Sequence, residues 1–109
     1  MSLALIRSFK SAGLWPPVLP TVVMVESLQG HPGRDANENR FAKTCSIEPD
    51  VSETLARRSA ELRRRAKRGS AVDAIVVAMA EPGGTVLTGD EEDIKSLVAH
   101  AKIVSIELV

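Results

Sequence analysis

The sequence predicts an α/β fold, a three-layer helix–sheet–helix sandwich with a mainly parallel sheet. Short β-branched apolar runs alternate with helical patterns along the chain, which is typical of strands joined by crossover helices. The apolar residues are mostly Val, Leu, Ile and Ala, with one tryptophan and two phenylalanines. A chain of 109 residues has the size of one domain with one core, so we expect a single domain over residues 1–109.

The composition excludes several classes of protein. Acidic and basic residues balance at 14 each, so net charge gives no reason to expect a nucleic-acid or membrane partner. No apolar run approaches the ~20 residues of a membrane span. Cys45 is the single cysteine, which excludes a disulfide framework and favours a small buried hydrophobe. With no signal-peptide layout at the N-terminus, we expect a cytoplasmic protein.

The first half of the chain predicts two helices and two strands. Residues 3–12 read as a short helix, after which "WPP" forces an extended chain. The β-branched run 18–25, "VLPTVVMV", predicts a strand buried on both faces. Beyond a turn rich in glycine and proline, we expect a helix over 34–43 and a very short strand at 45–47.

Residues 50–68 predict a helix that starts with a capping box formed by Asp50 and Glu53. Its inward stripe consists of Leu55, Ser59, Leu62 and Ala66. Its other face is strongly basic and comprises Arg57, Arg58, Arg63, Arg64, Arg65, Lys67 and Arg68. Such a face is usually only solvated, and an RNA contact surface is the alternative.

The second half of the chain predicts two more helices and two strands. Ser70 caps a helix over 70–80 that is apolar nearly all round and should therefore be buried. The "EPGG" turn leads into a strand at 85–88, followed by a helix over 90–101. The alternating segment 102–109 closes the chain as a strand at an edge of the sheet.

Three acids far apart in sequence should meet at one edge of this sheet. Glu26 follows the strand 18–25, Asp90 follows the strand 85–88, and Asp73 lies in the first turn of the helix that feeds the latter. In a parallel sheet, ligands bind at the edge where the strands end. Two carboxylates ~5 Å apart repel by roughly 3 kcal/mol at an effective dielectric near 20, so a shared proton or a cation is expected. Oxygen ligands suit Mg²⁺ or Mn²⁺, which can activate water for attack on a phosphate.

Helix capping is the alternative interpretation of the same acids. Ser70 with Asp73, and Asp90 with Asp93, each fit a capping box. Acids in a first turn also gain ~0.3–1 kcal/mol from the helix dipole without any further function. Both interpretations remain open from the residues alone.

Taken together, these segments resemble the PIN domain, and more narrowly the VapC-type ribonuclease toxins of bacterial toxin–antitoxin modules. The resemblance spans about residues 4–109 and is carried by "VLPTVVMVESLQG" with Glu26, "LARRSAELRRRA", "AVDAIVVAMA" with Asp73, and "VLTGDEEDIKSLV" with Asp90. It implies that Glu26, Asp73 and Asp90, sometimes assisted by Asp93, bind Mg²⁺ or Mn²⁺ and hydrolyse RNA. It also implies a homodimer and an antitoxin protein that covers the acidic site, often with an arginine.

The chain departs from this family at its start. The family begins with a central strand that ends in a metal-binding aspartate, whereas nothing acidic precedes Glu26 here. We therefore expect a PIN-like domain without its first strand and helix, in which residues 3–12 match the end of that helix. Loss of a central strand would expose the edges of 18–25 and 85–88, which predicts a tight or strand-swapped dimer.

Several functions follow from these observations. The first is a metal-dependent endoribonuclease, and the second is a catalytically inactive remnant that only dimerises or binds an antitoxin. A phosphate-handling domain resembling response regulators ranks below both, because the early aspartate pair and late lysine are not evident. A nucleotide-binding domain ranks lowest, because no glycine-rich loop follows a strand.

Overall fold

Strands from both ends of the chain assemble into one five-stranded sheet in the computed structural model, which describes residues 5–8, 17–89 and 91–108. The strands are β1 (Leu5–Ser8), β2 (Val18–Pro20), β3 (Ser46–Glu48), β4 (Gly84–Thr88) and β5 (Ser105–Leu108), in the order β3-β2-β1-β4-β5. The helices are α1 (Thr21–Ser27), α2 (Ala36–Ala42), α3 (Glu53–Ala66), α4 (Ala71–Ala80) and α5 (Glu91–Val98). The predicted α/β class is confirmed.

The centre of the sheet is β1, in a segment for which the sequence predicts a helix. The helix prediction for 3–12 is wrong for residues 5–8, and the rest of that segment lies outside the described residues. β1 runs antiparallel to both neighbours, with Ile6 opposite Val18 in β2 and Val86 in β4. Helices this short are marginal on their own, whereas β2 and β4 offer two rows of backbone groups that need partners. Tertiary pairing therefore decides the conformation.

Because β1 lies at the centre of the sheet, the strands predicted to have exposed edges are paired. The expected exposure of 18–25 and 85–88 is wrong, because β1 pairs with both β2 and β4. The stated reason for a strand-swapped dimer therefore no longer holds, while dimerisation itself stays a prediction. The strands at the edges are β3 and β5, as predicted for the last strand. The prediction of a mainly parallel sheet is wrong, because both pairings of β1 are antiparallel and only β2–β3 and β4–β5 are parallel.

The run 18–25 changes from strand to helix in its middle, so the prediction of one continuous strand is wrong beyond Pro20. Pro20 is the last residue of β2 and has the extended backbone that precedes α1. Val23 is buried in the core, and α1 packs against α4. Burial on a neighbouring helix thus outweighs the β propensity of the valines.

The middle of the chain largely follows its local patterns. The predicted helix at 34–43 and strand at 45–47 are confirmed as α2 and β3, with bounds shifted by one or two residues. In α3 the Asp50–Glu53 capping box is wrong, because Ser52 Oγ accepts a hydrogen bond from the Leu55 amide at 3.1 Å. The inward stripe is confirmed, and Leu62 is fully buried.

The C-terminal helices and strands also form in the predicted order, although α5 ends at Val98 rather than at 101 and β5 begins at Ser105 rather than at 102. Ser70 and Asp73 make a complete capping box at the start of α4, which is the most buried helix of the described chain. The core beneath the sheet includes Leu19, Val76, Val77, Val86, Ile94 and Leu97. Among the described helices, none is both long enough and apolar enough to cross a membrane.

We predict that Ile6→Ala lowers the free energy of unfolding by about 2–4 kcal/mol, because it leaves a cavity in the central strand. Ile6 is 5% exposed. The matched control is Val25→Ala, since Val25 is 82% exposed and should change the free energy by less than about 0.5 kcal/mol. Urea denaturation measures both. Equal, small effects would contradict the central placement of β1.

Candidate functional site

The carboxyl ends of β2, β3, β4 and β5 lie at one edge of the sheet. β2 and β4 each run antiparallel to β1 and therefore point the same way, and β3 and β5 run parallel to these neighbours. The helix α4 feeds β4 through the turn 81–83, so its first turn lies toward that edge. The reversal of β1 leaves the predicted convergence of strand ends intact.

Asp73 lies at this edge and serves first as a helix cap. Its Oδ2 accepts a hydrogen bond from the Ser70 amide at 3.2 Å, and Ser70 Oγ accepts one from the Asp73 amide at 3.0 Å. The side chain is half-buried. The capping interpretation of Asp73 is therefore confirmed, and the cap also holds the carboxylate in one orientation at the start of α4.

Glu26 occupies a different place from the one the sequence predicts. It lies in the last turn of α1, exposed, rather than directly at the end of a strand. Asp90, the third predicted ligand, lies outside the described residues. The meeting of Glu26, Asp73 and Asp90 at one ion therefore stays a prediction. Among the described residues, no group of three or more His, Cys, Asp and Glu is placed to hold a metal ion.

Asp93, the predicted auxiliary ligand, pairs with an arginine. Arg68 Nε donates to Asp93 Oδ1 at 2.8 Å, and Arg68 Nη2 lies 3.3 Å from Glu92 Oε2. The hydrogen bond and charge of Asp93 raise the pKa of Arg68. The contact joins the segment just after α3 to the first turn of α5. Gly69 follows Arg68, and α5 packs closely there, since a Cβ added at Gly69 would lie 2.9 Å from Leu97 Cδ1. A metal ion at Asp93 would share this carboxylate with the guanidinium of Arg68.

Glu81 is a carboxylate that stabilises the fold, and sequence reasoning missed it. Its oxygens accept hydrogen bonds from Arg58 Nε at 2.8 Å, Arg58 Nη2 at 2.7 Å and the Lys102 amide at 2.6 Å. Arg58 also donates to Glu61 Oε1 at 2.6 Å and to the His100 carbonyl. The network ties α3 to the segments before β4 and β5. The Arg58 hydrogen bonds lower the pKa of Glu81 despite its burial.

Asp35 is a second structural carboxylate. Its side chain is 4% exposed and accepts hydrogen bonds from the Gln29 amide at 3.0 Å and the His31 amide at 3.1 Å. The Gln29 hydrogen bond is the main cause that lowers the pKa of Asp35. The available sequence signal was an aspartate directly before a helix, after a turn with two glycines. Asp35 therefore organises the loop between α1 and α2.

The described residues line two surface clefts. One of about 460 Å³ is lined by residues of α1, α2 and β3 and includes Cys45. Cys45 packs against the core, and burial raises the pKa of its thiol. A raised pKa disfavours the reactive thiolate, in agreement with the predicted packing role. The other cleft, of about 180 Å³, lies between α3 and α4.

Comparisons of the chain with protein-family models, with curated proteins and with solved structures found no match. The functional argument therefore rests on the residues and on their placement in the fold.

We predict that Glu81→Gln lowers the free energy of unfolding by about 2–3 kcal/mol at pH 7, because it breaks charged hydrogen bonds to a largely buried arginine. Glu81 is 9% exposed and Arg58 is 22% exposed. Since the folded pKa of Glu81 lies below its unfolded pKa, the charged form stabilises the fold fully above the unfolded value. That contribution is lost as the pH falls through the folded value.

The difference between the wild type and Glu81→Gln should therefore be constant from about pH 6 to 8 and shrink below about pH 4.3, the ordinary glutamate value. Urea denaturation across this range measures it. Glu91→Gln, an exposed change on α5, is the control and should have little effect. A difference that grows on acidification would contradict the role assigned to Glu81.

Proposed function

We propose that the chain is a PIN-like, metal-dependent endoribonuclease of the VapC type that acts at the carboxyl edge of the sheet. The supporting observation is topological: four strands end at one edge, and the first turn of α4, with Asp73, lies toward it. We further propose the three-layer arrangement of the PIN domain, with helices on both faces of the sheet, and a cytoplasmic setting.

Glu26, Asp73 and Asp90 are the residues that we assign to the metal ion. All three offer hard oxygen ligands from separate segments, which fits Mg²⁺ or Mn²⁺. When bound, such an ion polarises a phosphate and lowers the pKa of a bound water. The chain contributes position: the Ser70 cap fixes the Asp73 carboxylate before any ion arrives. Asp93 assists while it also pairs with Arg68 through Oδ1.

The proposal includes the partners that the family resemblance implies. These are an RNA substrate, a second copy of the chain in a homodimer, and an antitoxin protein. An antitoxin segment that carries an arginine would match a carboxylate edge in charge. Arg68 already makes such a pairing with Asp93 within the chain.

We predict magnesium-dependent cleavage of single-stranded RNA that falls by at least about a hundredfold in Asp73→Asn, since loss of a direct ligand should exceed the ~10–100-fold typical of outer-shell partners. Asparagine keeps an oxygen that can accept the Ser70 hydrogen bond, so the helix cap is retained while the charge is lost. Gel analysis of a labelled RNA with magnesium or with EDTA measures the effect.

The matched control is Ser70→Ala, which breaks the other half of the same cap and retains the carboxylate. It should cost about 1 kcal/mol of stability and leave magnesium-dependent cleavage by the folded protein nearly unchanged. If Asp73→Asn and Ser70→Ala lose activity equally, or if Asp73→Asn loses none, Asp73 is only a cap and the nuclease proposal fails at this residue.

The second candidate is an inactive remnant that binds a partner without chemistry. One observation favours it: the central strand carries no acid to this edge, because no Asp or Glu precedes Glu26 in the sequence. Three carboxylates hold a divalent ion more weakly than four. The remnant would retain the dimer or antitoxin surface alone.

Calorimetry with Mn²⁺ separates the two candidates. The nuclease proposal predicts binding of one ion per chain that is lost in Asp73→Asn and retained in Ser70→Ala. No heat of binding at millimolar Mn²⁺ would favour the remnant.

A further inference from the structure

The basic residues of α3 and of the two positions after it, Lys67 and Arg68, fall into two groups. The groups differ in whether a carboxylate pairs with them. In the first group every cation meets a carboxylate: Arg57 with Glu53 at 2.8 Å, Arg65 with Glu61 at 3.6 Å, and the Arg58 and Arg68 pairs described above. This group is electrically matched within the chain. It needs no further partner.

The second group forms a separate stripe, here called the unpaired stripe: Ala56, Ala60, Arg63, Arg64 and Lys67. Helical spacing places the first four along one side of α3, and Lys67 follows as the C-cap residue in a left-handed conformation. All five are exposed. In the described part of the chain, no carboxylate lies within ion-pair distance of its three cations. Arg63 Nε donates to the Gly69 carbonyl at 3.3 Å.

Helix electrostatics do not fully account for this concentration of charge. A cation in a last turn is favoured by the helix dipole. Neighbouring like charges on the same turn repel one another, and this repulsion works against that gain. An external anion is the partner that such a stripe lacks.

A cleft between α3 and α4 adjoins the unpaired stripe. Its volume is about 180 Å³. It is lined by Ala56, Ser59, Ala60 and Arg63 on α3 and by Ala71, Ala74 and Ile75 on α4. The Ser59 hydroxyl donates to the Leu55 carbonyl of its own helix. Small apolar side chains leave a shallow surface on which a flat group can pack, and an arginine guanidinium can stack on a base.

We propose that the unpaired stripe and the adjoining cleft bind single-stranded RNA, with phosphates on Arg63, Arg64 and Lys67 and one unstacked base in the cleft. Only a single strand presents both groups together, because a duplex stacks its bases inside. The choice of RNA rests on the proposed function. The surface also leads toward the acidic edge, since Ala71 belongs to the same helical turn as Asp73.

The test is fluorescence anisotropy in EDTA, which prevents metal-dependent cleavage during binding. The probes are a labelled 12-nucleotide RNA, a 12-base-pair RNA duplex and a poly-glutamate peptide. A surface that reads charge alone would favour the duplex, which has the higher charge density. We expect the single strand to bind more tightly than the duplex or the peptide.

The triple variant Arg63→Gln/Arg64→Gln/Lys67→Gln removes the phosphate contacts. It should weaken single-strand binding about 10- to 100-fold at ~0.1 M salt and reduce the slope of log K against log salt by about 2. The charge-matched control is Arg34→Gln/Arg40→Gln/Lys43→Gln, three exposed cations near and on α2. This control should change affinity less than about threefold.

Ala60→Leu fills the cleft without changing charge. It should weaken single-strand binding about tenfold, the size of one lost base contact, and leave duplex binding unchanged. Thr54→Leu, an exposed change on the same helix outside the cleft, is the control and should be neutral.

The inference is overturned if the duplex or the peptide binds best, or if the two triple variants lose affinity equally. It is also overturned if Ala60→Leu and Thr54→Leu behave alike. Its failure is distinct from failure of the nuclease proposal. If the wild type binds RNA through the stripe but cleaves none, this inference alone is supported. If the wild type cleaves RNA and the variant Arg63→Gln/Arg64→Gln/Lys67→Gln binds it with full affinity, only the nuclease proposal is supported.

Discussion

Backbone pairing of the central strand is the constraint on which the rest of the structure depends. β2 and β4 each pair with β1, β4 through four residue pairs and β2 through Ile6 and Val18. Because β1 is antiparallel to both, β2 and β4 must point the same way. Their parallel neighbours then end at the same edge. The candidate site at that edge thus follows from one short strand of four residues.

The carboxylates divide by whether the fold already uses them. Glu81 and Asp35 accept hydrogen bonds that hold loops and helices together, and these hydrogen bonds lower the pKa of each carboxyl group. Asp93, in the first turn of α5, forms an ion pair with Arg68, which lies just after α3. Asp73 caps the start of α4, and that first turn lies toward the edge where the strands end. A run of acids in the sequence therefore does not by itself indicate a metal site, because each carboxylate can already be paired within the fold.

The same distinction applies to the cations of α3. Sequence composition presents seven basic residues in and just after one helix, and nothing in their identity separates them. The carboxylates on α3 and the neighbouring segments match four of them. The remaining three lie together next to an apolar cleft. This unmatched local charge, on a chain of no net charge, is the basis of the RNA surface that we propose.

The sequence by itself determined the features that depend on neighbours within about four residues. The Ser70–Asp73 cap, the buried character of α4 and the inward stripe of α3 were all predictable, because helix periodicity and capping are local. The tertiary structure alone decided that residues 5–8 form a strand, that β2 stops at Pro20, and that Arg58 and Arg68 bind Glu81 and Asp93. Each of these depends on partners distant in the chain, which local propensity does not encode.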